Sequence, residues 1–163
     1  MPRISKENYY LDIAETVLER ATCLRRVYGA IIVKNDEIIS TGYNGAPRGE
    51  ANCCDVGKCY CREHSTPIDE HAARHGDQYG TCVAVHAEQN AIIQAAKMGI
   101  SIDGATLYCT HQPCTICTRS SCYRFNLAHS IILAFKNCWY DSQYKQRHKN
   151  WYILWHVCNA GNC

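Results

Sequence analysis

Apolar residues fall at Leu11, Ala14, Leu18 and Ala21, three and four apart among polar neighbours. That is the period of a helix with one buried face, predicted from Asn8 to about Cys23 with Ser5 as its cap. The pattern then shortens. Tyr28-Gly29-Ala30-Ile31-Ile32-Val33 and Glu37-Ile38-Ile39-Ser40-Thr41 are two β-rich runs around Asn35-Asp36, which predicts a hairpin. The stretch from Gly42 to Gly49 (Gly-Tyr-Asn-Gly-Ala-Pro-Arg-Gly) has too many glycines, with a proline, for regular structure and predicts tight turns.

Helical periodicity returns at His86, and Gly99 and Gly104 bracket the turn that follows. Thr106 to Thr110 reads as a strand, Cys114 to about Phe125 as a helix, and Ser130 to Phe135 as a buried strand. The last apolar run, Trp151 to Val157, is placed as an edge strand. Strands alternating with helices predict an α/β fold, a central sheet with parallel pairs flanked by helices. Residues 50 to 80 form a connection too long to be structureless inside a compact domain. It is expected to be functional, metal-bound, or to carry a short helix near Ile68 to His75. The chain shows no internal repeat or low-complexity tract, and its 163 residues predict one domain.

Composition narrows the choice. A hydrophobic content of 47% is enough for a core, and no stretch approaches 18 consecutive apolar residues. With no apolar leader, the chain is expected to be soluble and cytoplasmic, with no membrane partner. The net charge of +2, from 17 basic and 15 acidic residues, is not the footprint of a polynucleotide binder. Thirteen cysteines without a secretory signal point to metal ligation and buried thiols rather than a disulfide framework.

The chemistry concentrates in His86-Ala87-Glu88 and Pro113-Cys114-Thr115-Ile116-Cys117. Zinc prefers tetrahedral nitrogen and sulfur donors, and a catalytic site leaves one of four positions open for water. Cys114 and Cys117, three apart, share a helix face, and the positive end of that helix favours thiolate. His86 would supply the third ligand. On an ideal helix His86 and Glu88 diverge by about 200°, but at a first turn both can face one pocket. A carboxylate there can take a proton from water and deliver it to a leaving amine. The spacing H-x-E with P-C-x-x-C is the signature of zinc-dependent nucleobase deaminases.

These stretches, with Gly29-Ala30-Ile31-Ile32-Val33 and the Gly42 to Gly49 loop, resemble the cytidine deaminase-like superfamily, specifically the deoxycytidylate (dCMP) deaminases, from about residue 9 to 135. The resemblance implies a three-layer fold, a catalytic zinc on His86, Cys114 and Cys117, and Glu88 as proton shuttle. It implies that Asn44 bonds the deoxyribose 3′-hydroxyl and that Ala30 and Ala87 line the base slot. In members controlled by dCTP and dTTP, the loop of Pro47, Arg48 and Gly49 lies at the effector site, and the family assembles as dimers to hexamers. Where the family usually has valine, this chain has Tyr28; residues 136–163 match poorly.

The function expected is hydrolytic deamination of dCMP to dUMP and ammonia. Arg25 and Arg26 are phosphate candidates, as is Arg48. The alternatives are deamination of dCTP or another free nucleotide or nucleoside, or an inactive nucleotide-binding regulatory protein. A second, structural zinc is expected on Cys23, Cys53, Cys59 and Cys82, which would tie the long connection to the first helix and to the His86 helix. Cys54, Cys61, His71 and His75 are close enough in sequence to replace any one of the four.

Overall fold

The structure, a computed structural model, describes residues 3–58, 82–124, 131–137 and 150–156. The short helix expected near Ile68 to His75 lies outside them, as does Cys59.

Helix α1 (Lys6–Leu18) opens on Ser5, whose hydroxyl accepts the Asn8 N–H at 3.2 Å. It ends at Leu18 instead of running to Cys23. The Ala21 N–H turns back to the Leu18 carbonyl at 2.9 Å, and the Thr22 N–H is taken by the Asn44 carbonyl at 3.1 Å. That tertiary bond draws the chain off the helix axis, so Leu18 and Ala21 keep helical spacing without a common helix.

Strands β1 (Gly29–Lys34) and β2 (Glu37–Tyr43) form the expected hairpin, with Gly29 opposite Tyr43 and Lys34 opposite Glu37. Asn35 and Asp36 turn it with φ of 53° and 67°, the left-handed pair a two-residue hairpin loop needs. A four-residue helix that the apolar pattern does not announce, α2 (Cys53–Val56), follows. Its start is marked by Asn52, whose N–H donates to the Asp55 carboxylate at 3.2 Å, and its end by Gly57 at φ 70°.

Helix α3 (Ala87–Lys97), strand β3 (Thr106–Cys109), helix α4 (Thr115–Arg124), strand β4 (Ile131–Asn137) and strand β5 (Asn150–His156) complete the described elements. The sheet runs β2-β1-β3-β4-β5. It is mixed: β3 and β4 are parallel, and the other neighbours are antiparallel. The final apolar run is the edge strand expected of it.

Both faces of β1 are buried, so its alternation sorts residues between two helices. Ile31 and Val33 pack with Tyr10, Leu11 and Ala14 of α1 and with Tyr108. Ala30 and Ile32 pack with Ala87, Ala91, Ile92 and Ala95 of α3 and with Leu107. The result is three layers, helix on sheet on helix. Among the described residues, no helix is long and apolar enough to cross a membrane.

Candidate active site

Two helix starts meet on one side of the sheet. His86 is the N-cap of α3, with extended backbone at φ −68° and ψ 151°, so its ring leaves the helix before the helical turn begins. Glu88, in the first turn, then faces the same space. Three contacts fix this turn on β2. The Ser40 hydroxyl donates to the Ala91 carbonyl at 2.6 Å, and the Asn90 amide donates to the Tyr43 carbonyl at 2.8 Å. At Gly42 the helix backbone comes so close that a Cβ would lie 2.2 Å from the Ala87 oxygen and 2.4 Å from the Ala91 nitrogen. Only glycine allows that approach.

Cys114 stands just before α4, and its carbonyl accepts the Thr118 N–H at 2.9 Å. The Cys117 N–H points at the Cys114 sulfur at 3.4 Å. His86 Nδ1 lies 3.3 Å from the Cys117 sulfur and 3.5 Å from the Cys114 sulfur. Zinc bonds of about 2.3 Å to sulfur and about 2.05 Å to nitrogen, opened to a tetrahedral angle, predict donor separations of about 3.6 Å. The three residues therefore fit zinc. Among the described residues, they are the one group of three or more His, Cys, Asp or Glu donors within 4.8 Å of one another. Burial, with the Glu88 and Cys114 groups beside it, pushes the Cys117 thiol well up, so its thiolate needs a cation.

Burial likewise pushes the Glu88 carboxyl above the usual carboxylate range, against its backbone N–H and the His86 and His111 rings, which pull it down. The Glu88 residue is 8% exposed. A carboxyl moved toward neutrality is suited to taking and giving protons.

His86, Cys114 and Glu88 line a cleft of about 230 Å³, with Cys117 buried behind them. Cys109, fully enclosed on β3, adjoins them there. Tyr28, Gly29 and Asn44 form a side, and Arg25, Arg26 and His111, all exposed, lie toward solvent. Asn44 is itself buried. Its side-chain oxygen accepts the Tyr28 N–H at 2.8 Å, and its amide nitrogen donates to the Arg26 carbonyl at 2.7 Å. One amide hydrogen and one lone pair remain for a ligand.

Residues 4–134 match the cytidine and deoxycytidylate deaminase zinc-binding region. The chain belongs to this deaminase family. It is 36% identical over 145 residues to ComE operon protein 2 of Bacillus subtilis, covering 89% of this chain and 64% of that one. It is 34% identical over 116 residues to the deoxycytidylate deaminase of Schizosaccharomyces pombe, covering 71% and 33%. The chain thus spans less than two thirds of the length of either relative. A dCMP deaminase of cyanophage S-TIM5, solved in complex with dCMP and dUMP, superposes with a TM-score of 0.54 at 33% identity, covering 75% of this chain and 78% of that one.

The other positions expected to serve a deaminase are distributed unevenly. Ala30 and Ala87 sit in the core cluster under the site, and the cleft side is formed next to them by Gly29. Arg25 and Arg26 line the cleft; Pro47, Arg48 and Gly49 are exposed and are not among its lining residues. Cys23 and Cys82 also line it, while Cys53 is buried in α2. Those three do not form a donor group within 4.8 Å.

Some functional neighbours escaped sequence reasoning. Thr110, His111 and Gln112 line the cleft between β3 and Cys114, where the only signal was position just before Pro-Cys. Asn52 accepts from the Thr22 hydroxyl at 2.8 Å and the Ala46 N–H at 3.3 Å, pinning three loops together. Asn52 and Asp55, three apart ahead of Gly57, were the available sign of that helix start.

Proposed function

We propose that this chain deaminates a cytosine nucleotide, converting dCMP and water to dUMP and ammonia. The observation that carries the reading is buried Glu88 lining a cleft, beside three donors spaced for zinc. Its family membership and the dCMP-bound relative support the substrate class.

His86, Cys114 and Cys117 would hold zinc, which supplies the Lewis acidity that makes water nucleophilic at neutral pH. Glu88 moves the protons. It takes one from water as oxygen bonds to C4 and delivers it to ring N3. It then carries the hydroxyl proton to the amine as the C4–N bond breaks, releasing ammonia. Arg25 and Arg26, at the exposed side of the cleft, suit the phosphate. Asn44 suits the sugar hydroxyl through its remaining amide hydrogen.

The proposal extends to four further properties. A structural zinc on Cys23, Cys53, Cys59 and Cys82 is supported by the Cys54 N–H bond to the Thr22 carbonyl at 3.2 Å, which brings the segments of Cys53 and Cys23 together, and by Cys23 and Cys82 lining the same cleft. The exposed turn of Pro47, Arg48 and Gly49 is assigned to dCTP and dTTP as effectors. Assembly from dimer to hexamer and a cytoplasmic location complete the reading, which rests for these on resemblance and composition.

A substrate panel tests it: ammonia release from dCMP, dCTP, deoxycytidine and a short single strand, with and without both triphosphates. Turnover of dCMP with little on the strand supports the reading. No turnover of any substrate by zinc-loaded protein would sink it.

A further inference from the structure

The rings of Tyr28 and His111 stack with centroids 5.2 Å apart and planes 18° from parallel. Both line the cleft that also holds buried Glu88 and exposed Arg25 and Arg26. The backbone on either side of the stack is anchored. Asn44 accepts the Tyr28 N–H, and the Asn44 N–H donates to the Tyr28 carbonyl at 3.2 Å, so both polar backbone groups of Tyr28 are held by one residue. The loop carrying His111 is clasped to the next residue: the Gly29 N–H donates to the Thr110 hydroxyl at 3.0 Å, and the Thr110 N–H to the Gly29 carbonyl at 3.0 Å. Tyr28 also packs on the core cluster beneath α3. The Arg26 guanidinium donates to its hydroxyl at 3.3 Å.

A wall fixed this way is pre-organised, so a ligand meeting it orders little that was mobile. Every base has a flat π-face, and aromatic side chains hold such faces without needing hydrogen bonds. A nucleotide whose reacting carbon lies at Glu88 and whose phosphate lies near Arg25 and Arg26 passes its ring and sugar along this pair.

We propose that Tyr28 and His111 act as one aromatic unit that contacts the pyrimidine nucleotide and determines how tightly the cleft selects it. The inference rests on the deamination reading. It adds a contact at a position where the resemblance offered only valine.

Steady-state kinetics on dCMP with the zinc-containing full chain tests the proposal, alongside thermal unfolding of each variant. Tyr28→Val removes the ring but keeps a residue suited to a strand start. It is expected to raise KM about tenfold, within the range of base–aromatic stacking, with kcat little changed. Tyr28→Phe keeps the ring and should hold KM near wild type. His111→Ala should raise KM in the same direction, and the double variant should be no worse than the poorer single one. An unchanged KM in Tyr28→Val, even with a lowered Tm, overturns the proposal and leaves the stack a structural brace. Independent, multiplying effects in the double variant overturn the claim of one unit. If Tyr28→Val does not fold, an unchanged KM in His111→Ala overturns the proposal and a raised one supports it. A wild-type chain that does not turn over dCMP overturns the deamination reading itself, a result distinct from all of these.

Discussion

The side-chain oxygen of Asn44 accepts the backbone N–H of Tyr28 at 2.8 Å. With the bond from its amide to the Arg26 carbonyl, this makes Asn44 a splice between the loop after β2 and the segment entering β1. A residue expected to meet the sugar is therefore already engaged in holding the cleft's side in place.

Removing it should affect stability as well as binding. Asn44→Ala leaves two backbone groups without partners, each costing about 1–3 kcal/mol where water cannot reach. The expected outcome is a Tm several degrees lower together with a reduced kcat/KM on dCMP. Full stability in a denaturant titration would show that water replaces the amide at both groups.

Glu88→Gln keeps the shape of the side chain and loses the proton carrier. We expect kcat to fall by about 10²–10⁴-fold or more, with zinc content and dCMP binding retained. Activity close to wild type in a stopped assay would remove Glu88 from the mechanism.

Metal content tests the two proposed zinc sites. Elemental analysis of pure wild-type protein should give about two zinc ions per chain if both sites are filled. His86→Ala should abolish turnover and lower the count by one. Cys59→Ser should lower it by one while destabilising the fold. A wild-type count of one would remove the four-cysteine site.

Acid stability offers a test on the opposite face. Lys6 pairs with the Asp36 carboxylate, and the Tyr10 hydroxyl donates to it at 3.1 Å. Those bonds hold the Asp36 carboxyl below its ordinary value of 3.8. A depressed carboxyl contributes stability that is present above the unfolded value and lost as pH falls through the folded one. Asp36→Asn should therefore unfold at lower urea than wild type at pH 7, and the gap should close below about pH 4. The pair is exposed, so the gap should be small and should shrink further in salt. A gap that persists unchanged at pH 3 would assign it to the turn and not to the charge.

Much of this was legible in the chain because periodicity and capping are local. The hairpin at Asn35-Asp36, the start of α1 at Ser5 and the edge strand at Trp151 follow from neighbours within a few residues. The convergence of His86 with Cys114 and Cys117 was legible for a different reason, since metal geometry restricts which donors can meet. The early end of α1 was not legible, because Asn44, far along the chain, captures Thr22. Nor was the Tyr28–His111 stack, which depends on β1 and β3 lying side by side with Ala30 opposite Cys109. Ala30 and Ala87 show the converse: small residues beside a site can be part of its foundation as readily as its lining.

Gly42 contacts no substrate in any of these proposals, yet α3 rests on it at a distance no side chain would permit. A methyl group there would push the Ala87 and Ala91 backbone outward, and His86 and Glu88 ride on that backbone. Evolutionary drift at Gly42 is then policed by chemistry performed elsewhere. In a saturation scan selected on nucleotide deamination, its row should look as empty as that of Glu88, although an expression screen alone would separate the two.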